Sequence, residues 1–239
     1  MLPLNILAAG DSWNDYPKLL LTGGGLATHL AGLMDCPYTN IAHAGDATLV
    51  TMGMKDCKIL ETNLPGHDLL LFSGGGDDIC GDQFSIWLNQ NVDGNIAKAV
   101  NWDRLAAALT LTLADYQDLT EVRDRVNPDC LIVSHSYDFP TKTKLGAGVL
   151  WLGPWLKPGL DWCGWTNLED QVAIVKRILI EFNYRLASFA ATNRNHLHVN
   201  TQGTLGPDDW QNEIHPNRQG WDKIAVVISK AILAYQPKK

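Results

Sequence analysis

The sequence has few cysteines, and they follow no recognisable pairing pattern. There are five in 239 residues, and no two of them are separated by only two residues. Zinc sites and redox motifs commonly use that Cys-x-x-Cys spacing. We therefore predict that the cysteines are reduced residues of the core or of loops. They are Cys36, Cys57, Cys80, Cys130 and Cys163.

Positive charge is also scarce. Lys and Arg number 19 against 26 Asp and Glu, which gives a net charge of −7, and the basic residues form no long run. A surface of this charge repels a polyanion and gains nothing from counterion release. We therefore expect a small-molecule ligand and no nucleic-acid partner. The sequence does not indicate an oligomeric state.

A long apolar run is missing as well. The first ten residues contain no basic segment, and their only apolar stretch is too short for a signal peptide or a membrane span. We predict a cytoplasmic protein without a membrane span, with a signal removed beforehand as the alternative. The hydrophobic content of 46% is enough for one large core, so residues 1–239 are predicted to form a single domain.

Nucleotide-binding motifs are absent too. Residues 73–78 are rich in glycine, but no Gly-Lys-Ser or Gly-Lys-Thr follows them. The first predicted strand is not followed by Gly-x-Gly-x-x-Gly either. Those motifs hold phosphate groups with backbone amides at a helix start. The sequence therefore gives little support for nucleotide binding.

What the sequence does contain is an apolar run near the start that stops at Gly10 and continues into Asp11 and Ser12. Such a run is typical of a buried parallel strand, and the glycine permits a sharp turn after it. A serine in that position can act as a nucleophile above the sheet edge. The alternative is an ordinary strand-to-helix turn, since all three residues favour turns.

Four further apolar runs predict strands, and most are followed by glycine, acid or histidine. They cover residues 39–44, 69–72, 130–134 and 196–200. Gly45 follows residues 39–44 and is either a turn residue or a place where a backbone amide approaches a ligand. His135 follows residues 130–134 and is either a strand-end residue or part of a substrate wall.

Helices are predicted between these strands from apolar residues spaced three and four apart. One carries Leu26, Leu30 and Leu33, a long one begins at Trp102 and ends before Asn127, and another is capped by Asn167. The last begins after His215. Strands that alternate with helices predict a parallel sheet covered on both faces.

Residues 146–165 interrupt the alternation. They are too rich in glycine and proline to predict a helix, and they contain four tryptophans, which are Trp151, Trp155, Trp162 and Trp165. An ordered insertion that packs through its own side chains is one interpretation. The other is a wall or lid for an apolar or sugar group, with Trp151 and Trp155 as the candidate substrate-binding residues.

The parallel topology brings several chemical groups to one edge of the sheet. Ser12, Gly45 and Asp77 each follow a strand, and His215 precedes the last helix. A hydroxyl nucleophile needs a base for its proton and N–H donors for the oxyanion, and these positions can supply both.

These motifs resemble those of the SGNH or GDSL hydrolases. The resemblance rests on Gly10-Asp11-Ser12, Gly45, residues 75–78 and His215-Pro216, and it extends over nearly the whole chain. It implies a three-layer α/β/α sandwich with a flavodoxin-like parallel sheet of order 2-1-3-4-5. It also implies hydrolysis of a small or medium acyl ester, or of a related acyl bond, without metal or cofactor.

Carried over residue by residue, the resemblance makes Ser12 the nucleophile and His215 the general base. The amides of Ser12 and Gly45 become two oxyanion donors. The third donor is usually Asn but is Asp77 here, and the acid three residues before the histidine is Asn212 here. A serine hydrolase is therefore predicted, with a carbohydrate deacetylase and a non-catalytic binding protein as alternatives.

The departure at Asn212 leaves the orientation of His215 open. Asn212 itself can hold the ring, as Asn does in papain-like enzymes. Alternatively a nearby carboxylate replaces it, from Asp208, Asp209 or Glu213, or a backbone carbonyl orients a Ser-His dyad.

Overall fold

The computed structural model describes residues 4–18, 22–149 and 152–236. Within them, five parallel strands form one sheet of order β2-β1-β3-β4-β5, as the resemblance implied. The strands are β1 (Ile6–Gly10), β2 (Tyr38–Asn40), β3 (Leu69–Ser73), β4 (Leu131–His135) and β5 (His196–Val199).

The described helices alternate with the strands and cover the two faces of the sheet. They are α1 (Leu26–Met34), α2 (Thr48–Thr51), α3 (Met54–Asn63), α4 (Gly76–Ile79), α5 (Trp102–Val126), α6 (Lys157–Trp162), α7 (Leu168–Thr192) and α8 (Arg218–Ala234). Helix α1 packs against α8, and α5 packs against α7. Three short 3₁₀ helices lie at Asp82–Trp87, Ile96–Lys98 and Pro207–Asp209.

The core follows from the composition of the central strands. Every residue of β1 and β3 is buried, because both faces of these strands are covered by helices. On α8 the predicted apolar face is also buried, at Trp221, Ile224 and Ile228. None of the helices in the described ranges is long and apolar enough to cross a bilayer.

The predicted ends of the long helices are confirmed. The side chain of Asn167 accepts a hydrogen bond from the amide of Asp170 and caps α7. Helix α5 ends at Val126, and the residue before Pro128 leaves the helix because proline disfavours helical geometry at that position.

Three predictions about local structure are wrong. Residues 157–162 form helix α6, because Pro158 lies in its first turn, where the missing amide hydrogen costs no intrahelical bond. Strand β2 ends at Asn40 instead of residue 44. Leu33, predicted on the apolar face of α1, is 51% exposed.

Candidate active site

The site begins at the carboxyl end of β1. Gly10 has a φ of +103°, and a Cβ atom there would lie 1.7 Å from the backbone oxygen of Ser73 on the neighbouring strand. Only glycine fits this close approach. The amide of Asp11 then donates to the same Ser73 oxygen at 2.8 Å. This tight junction of β1 and β3 determines where Ser12 leaves the sheet.

The predicted nucleophile and base lie in direct contact. The Oγ atom of Ser12 is 2.8 Å from Nε2 of His215, although 203 residues separate them in sequence. Both residues are largely buried, at 9% and 4% exposure. The distance lies within the range expected for a nucleophile and its general base.

Asn212 occupies the other side of the imidazole ring. Its Oδ1 atom lies 3.1 Å from Nδ1 of His215 and also accepts the backbone amides of Ile214 and His215, at 3.1 and 2.9 Å. Two amide donors point at this atom, so it is the oxygen of the side chain and not the nitrogen. Nδ1 therefore carries the hydrogen and donates it to Asn212, which leaves the lone pair of Nε2 facing Ser12.

Two aromatic rings enclose His215. The Tyr16 ring lies at a centroid distance of 4.5 Å, and Trp155 meets the imidazole edge-to-face at 5.5 Å. The Tyr16 hydroxyl accepts a hydrogen bond from Nδ2 of Asn212 at 3.1 Å, which further fixes the amide. Burial lowers the pKa of His215 to about 3 and raises that of Tyr16 to about 12. At neutral pH both groups are uncharged.

The three carboxylates that were alternatives to Asn212 have other partners. Asp209 forms an ion pair with Lys223, at 2.7 Å, and accepts the amide of Gly206. Asp208 is exposed. Glu213 points away from His215 into a different set of contacts. Of the four candidate side chains, Asn212 is the one in contact with Nδ1 of His215.

Glu213 holds the tryptophan-rich segment in place. Its carboxylate is completely buried and accepts four backbone amides. Oε1 accepts those of Gly146 and Lys157, both at 2.9 Å, and Oε2 accepts those of Trp155 and Leu156, at 2.6 and 2.8 Å. The segment is therefore anchored to the loop that carries His215. Sequence reasoning missed this role, because nothing in a local pattern indicates where an acidic side chain points.

Asp77 lies at the start of α4 and lines the same cavity as Ser12. Burial and, to a smaller extent, the nearby Asp11 raise the pKa of its carboxyl to about 7, against the opposing effect of a hydrogen bond from the Cys80 thiol. Near neutrality a large fraction of Asp77 is thus protonated and can donate a hydrogen bond. The position agrees with the predicted third oxyanion donor, and the role stays a prediction.

Gly45 lies in the exposed loop between β2 and α2, with a φ of +93°. The start of α2, which directly follows this loop, is hydrogen-bonded to Asp78, the residue after Asp77 in α4. The carboxylate of Asp78 accepts the amide of Thr48 at 2.9 Å and its hydroxyl at 2.6 Å. The two predicted arms of the oxyanion hole are therefore connected, and the role of Gly45 stays a prediction.

Asp11, next to the predicted nucleophile, holds a buried network. It accepts hydrogen bonds from the Ser73 hydroxyl at 2.5 Å, from the Tyr137 hydroxyl and from the amide of Trp13 at 2.9 Å. Burial raises its pKa despite these donors. The network fixes the turn on which Ser12 lies and places Tyr137 beside the cavity.

A cavity of about 50 Å³ opens beside Ser12 and Asp77. Its lining is mainly apolar and includes Trp13, Ile79, Phe84, Leu156, Val175, Ile178, Leu179 and Ile214. The side chains come from the β1 turn, α4, the segment before α6, and α7, which lie far apart in sequence. This cavity has the character of a binding site for an apolar group.

The three predicted substrate-wall residues differ in placement: His135 is set back from the cavity, Trp155 lies against His215, and Trp151 lies outside the described residues. His135 is buried behind Trp13, with the rings stacked at 5.2 Å, and burial lowers its pKa to about 4. It does not reach the cavity, because Trp13 covers it. Trp155 packs on His215 and does not itself line the cavity, and its role in substrate binding stays a prediction. Trp151 falls in the undescribed stretch at residues 150–151.

The remaining tryptophans of the segment differ from one another. Trp165 is buried and donates from Nε1 to the backbone oxygen of Asn89, which fits packing through its own side chains. Trp162 is 78% exposed.

Across the described ranges, no group of three or more His, Cys, Asp and Glu is arranged to hold a metal ion.

No protein-family model matches the sequence, and no curated protein sequence matches it significantly. Solved structures do resemble it in fold. A lipase from a goat rumen metagenome, Lip_vut3, has a TM-score of 0.65 at 13% identity, with 95% of this chain and 97% of the other covered.

Two more structures agree over a similar length. An extracellular lipase from Streptomyces rimosus has a TM-score of 0.61 at 17% identity, with coverage of 95% and 99%. A protein from Slackia heliotrinireducens, named as an SGNH hydrolase, has a TM-score of 0.54 at 13% identity, with coverage of 96% and 98%. The chain therefore has the α/β/α fold of the SGNH and GDSL-like hydrolases, and the resemblance inferred from its sequence is confirmed in the fold.

Proposed function

We propose that this protein is a serine hydrolase that cleaves small or medium acyl esters. One observation carries the proposal: Ser12, His215 and Asn212 form a continuous hydrogen-bonded chain with the imidazole lone pair facing the serine. The names of the structural neighbours, which are lipases and hydrolases, support the same reaction class. At such low identity they do not indicate a substrate.

The proposed reaction proceeds in two stages. Ser12 Oγ attacks the ester carbonyl carbon while its proton passes to Nε2 of His215, and the carbonyl oxygen becomes an oxyanion. The imidazolium then gives that proton to the alcohol oxygen as the carbon–oxygen bond breaks, which leaves an acyl group on Ser12. A water molecule repeats the sequence and releases the carboxylic acid.

Asn212 accounts for the choice of imidazole tautomer in this reaction. Replacing the orienting Asp by Asn lowers turnover by about 10⁴ in a serine protease because the imidazole takes the wrong tautomer. Here the backbone amides of Ile214 and His215 hold the oxygen of Asn212 toward Nδ1. The amide nitrogen is directed to Tyr16. This arrangement supports a competent base without a carboxylate.

The proposed oxyanion hole combines the amides of Ser12 and Gly45 with the protonated carboxyl of Asp77. A pKa of about 7 supports the third donor at neutral and acidic pH. An ionised Asp77 would instead repel the oxyanion. In that state the site would suit ligand binding better than catalysis. The competing proposal is therefore a non-catalytic ligand-binding protein.

Hydrolysis of p-nitrophenyl butanoate by the purified protein tests the proposal. Wild type is expected to release p-nitrophenol with saturation kinetics, and Ser12→Ala is expected to lose that activity while keeping its melting temperature. Ser85→Ala, which changes a serine outside the site, is the matched control and should be as active as wild type. Equal activity of Ser12→Ala and wild type would reject the proposal.

A further inference from the structure

The cavity beside Ser12 is bounded by one face of α7. Val175, Ile178 and Leu179 all line it, and their spacing of three and four residues puts them on the same side of the helix. Val175 and Ile178 are buried, at 1% and 0% exposure. The next residue, Ile180, points the other way and is 45% exposed. Helix α7 therefore contributes a continuous aliphatic wall.

Beyond Asp77, the acidic residues of the lining offer little to a polar acyl chain, and Asp11 is already bonded to Ser73, Tyr137 and Trp13. Both oxygens of Asp138 accept backbone amides, from Phe139, Gly203 and Leu205, at distances of 2.6 to 2.8 Å. The carboxylate of Glu213 is occupied by its four amides. A sugar or a charged chain would thus lose hydrogen bonds to water and gain few in return.

The boundary formed by Leu156 is fixed in place. Its amide donates to Glu213 at 2.8 Å, and the following helix α6 packs tightly on the 3₁₀ helix Asp82–Trp87. A Cβ atom on Gly159 would lie 2.9 Å from the amide nitrogen of Ser85, which measures how close the two elements are. The cavity therefore cannot lengthen in this direction without breaking several contacts.

The volume sets the length of chain that fits. A water-sized group needs about 10–15 Å³ of such space, so 50 Å³ holds about three to five carbon atoms beyond the carbonyl carbon at Ser12. An acetyl group would leave most of the cavity unfilled. A long-chain acyl group would have to extend past the lining residues into solvent.

The geometry points to an acyl-specific site in which α7, through Val175 and Leu179, limits the substrate to uncharged chains of about four to six carbons. This inference rests on the proposed function and adds the substrate class and the residues that select it. Each buried methylene contributes about 0.8 kcal/mol, so kcat/KM should rise about fourfold per carbon until the cavity is full.

The test measures kcat/KM for p-nitrophenyl esters from acetate to dodecanoate. Wild type should peak at butanoate or hexanoate and fall at least tenfold by decanoate. Leu179→Ala removes aliphatic atoms from the wall and should move the peak by about two carbons toward longer chains. Ile180→Ala makes the same kind of change on the outer side of α7 and should leave the profile unchanged.

Val175→Leu provides a second variant in case Leu179→Ala fails to fold. It adds one methylene to the wall and should lower the ratio of kcat/KM for hexanoate to that for acetate about fourfold. The p-nitrophenyl half-ester of succinate, which matches butanoate in length but is charged, should react at least a hundredfold more slowly than butanoate.

The outcomes separate this inference from the proposed function. If no ester is hydrolysed in a Ser12-dependent manner, the proposed function is wrong. If hydrolysis depends on Ser12 but increases steadily to dodecanoate, or if neither α7 variant changes the chain-length profile, the inference is wrong and the reaction class stands.

Discussion

The side-chain oxygen of Asn212 lies 3.1 Å from Nδ1 of His215 and simultaneously accepts two backbone amides of the same loop. These two amides decide which end of the Asn212 side chain faces the ring. A neutral amide thus selects the tautomer that an aspartate would select, but it does not neutralise the positive charge that forms on His215 during reaction. The aromatic rings of Tyr16 and Trp155 pack on the imidazole on which that charge forms.

Substitutions of Asn212 test this arrangement. Asn212→Ala removes the acceptor of Nδ1–H and should lower kcat by about a hundredfold. Asn212→Asp keeps the acceptor for both amides and adds a charge, so it should be at least as active as wild type. Steady-state kinetics on one ester decide, with Asn217→Asp, a change at the cap of α8, as the control. If Asn212→Ala is fully active, Asn212 has no part in orienting His215.

The raised pKa of Asp77 predicts how activity depends on pH. His215, with a pKa of about 3, is in its basic form at neutral pH, so raising the pH brings no gain. Loss of the Asp77 proton above a pKa of about 7 should lower kcat/KM. At about 4 Å and an effective dielectric constant of about 20, an ionised Asp77 opposes the oxyanion by about 4 kcal/mol.

Asp77→Asn should remove this alkaline decline. One pH unit above its pKa of about 7, only about one Asp77 in eleven is protonated, so the variant should be about tenfold faster than wild type at pH 8. The measurement is kcat/KM between pH 5 and pH 9 for both proteins. A variant that is slower at every pH with an unchanged profile would show that Asp77 is not an oxyanion donor.

Glu213→Gln should destabilise the protein. The neutral amide of glutamine keeps one acceptor oxygen but turns two N–H donors toward backbone amides that are themselves donors. Hydrogen bonds to a charged group contribute about 1.5–3 kcal/mol each, so we expect a loss of about 3 kcal/mol in the free energy of unfolding. Urea unfolding measures it. Glu169→Gln, at an exposed ion pair with Lys142, should change stability far less, because exposed ion pairs contribute little. Equal stability of the two variants would contradict the anchoring role.

Three histidines with lowered pKa values predict sensitivity to acid. They are His135, His198 and His215, with pKa values of about 4, 3 and 3 caused mainly by burial. The unfolded chain takes up protons on them near pH 6.5, whereas the folded chain does not. Their contribution to stability is therefore complete above that pH and is lost as the pH falls toward 4.

Urea unfolding at pH 7, 6 and 5 measures how the free energy of unfolding depends on pH. Each histidine can contribute up to about 1.4 kcal/mol per pH unit to this dependence. Asp77 acts in the opposite sense, because its raised pKa lets the folded state bind a proton first. His198→Gln should therefore make the pH dependence shallower. An unchanged slope in that variant would mean that His198 is not held neutral by the fold.

The sequence predicted the sheet and the two main site residues because their signals are local. An apolar run ending at Gly10 predicts a strand and a turn wherever it occurs, and the carboxyl ends of parallel strands share one edge. Ser12 and His215 could thus be brought together without knowing a single contact between them. The contact at 2.8 Å agrees with that reasoning.

The cavity and its anchor could not be predicted in the same way. Leu156 and Val175 line the same cavity although they come from different elements, and that convergence depends on the packing of the whole core. Glu213 was considered as an orienting acid for His215, but its buried side chain is turned toward residues 146–157. His135 is the last residue of β4, close to its predicted place after the strand, yet Trp13 stacks over it, which a strand-end position does not reveal.

The most direct test of the account is the labelling of Ser12 by a fluorophosphonate probe. An activated serine reacts quickly, because His215 removes its proton as the bond to phosphorus forms. We predict complete modification of the wild-type protein at one residue, identified as Ser12 by peptide mass spectrometry. Ser12→Ala should not be labelled, and His215→Ala should react at least about a hundredfold more slowly. A folded wild-type protein that labels no faster than His215→Ala would contradict the central claim that Ser12 and His215 act as nucleophile and base.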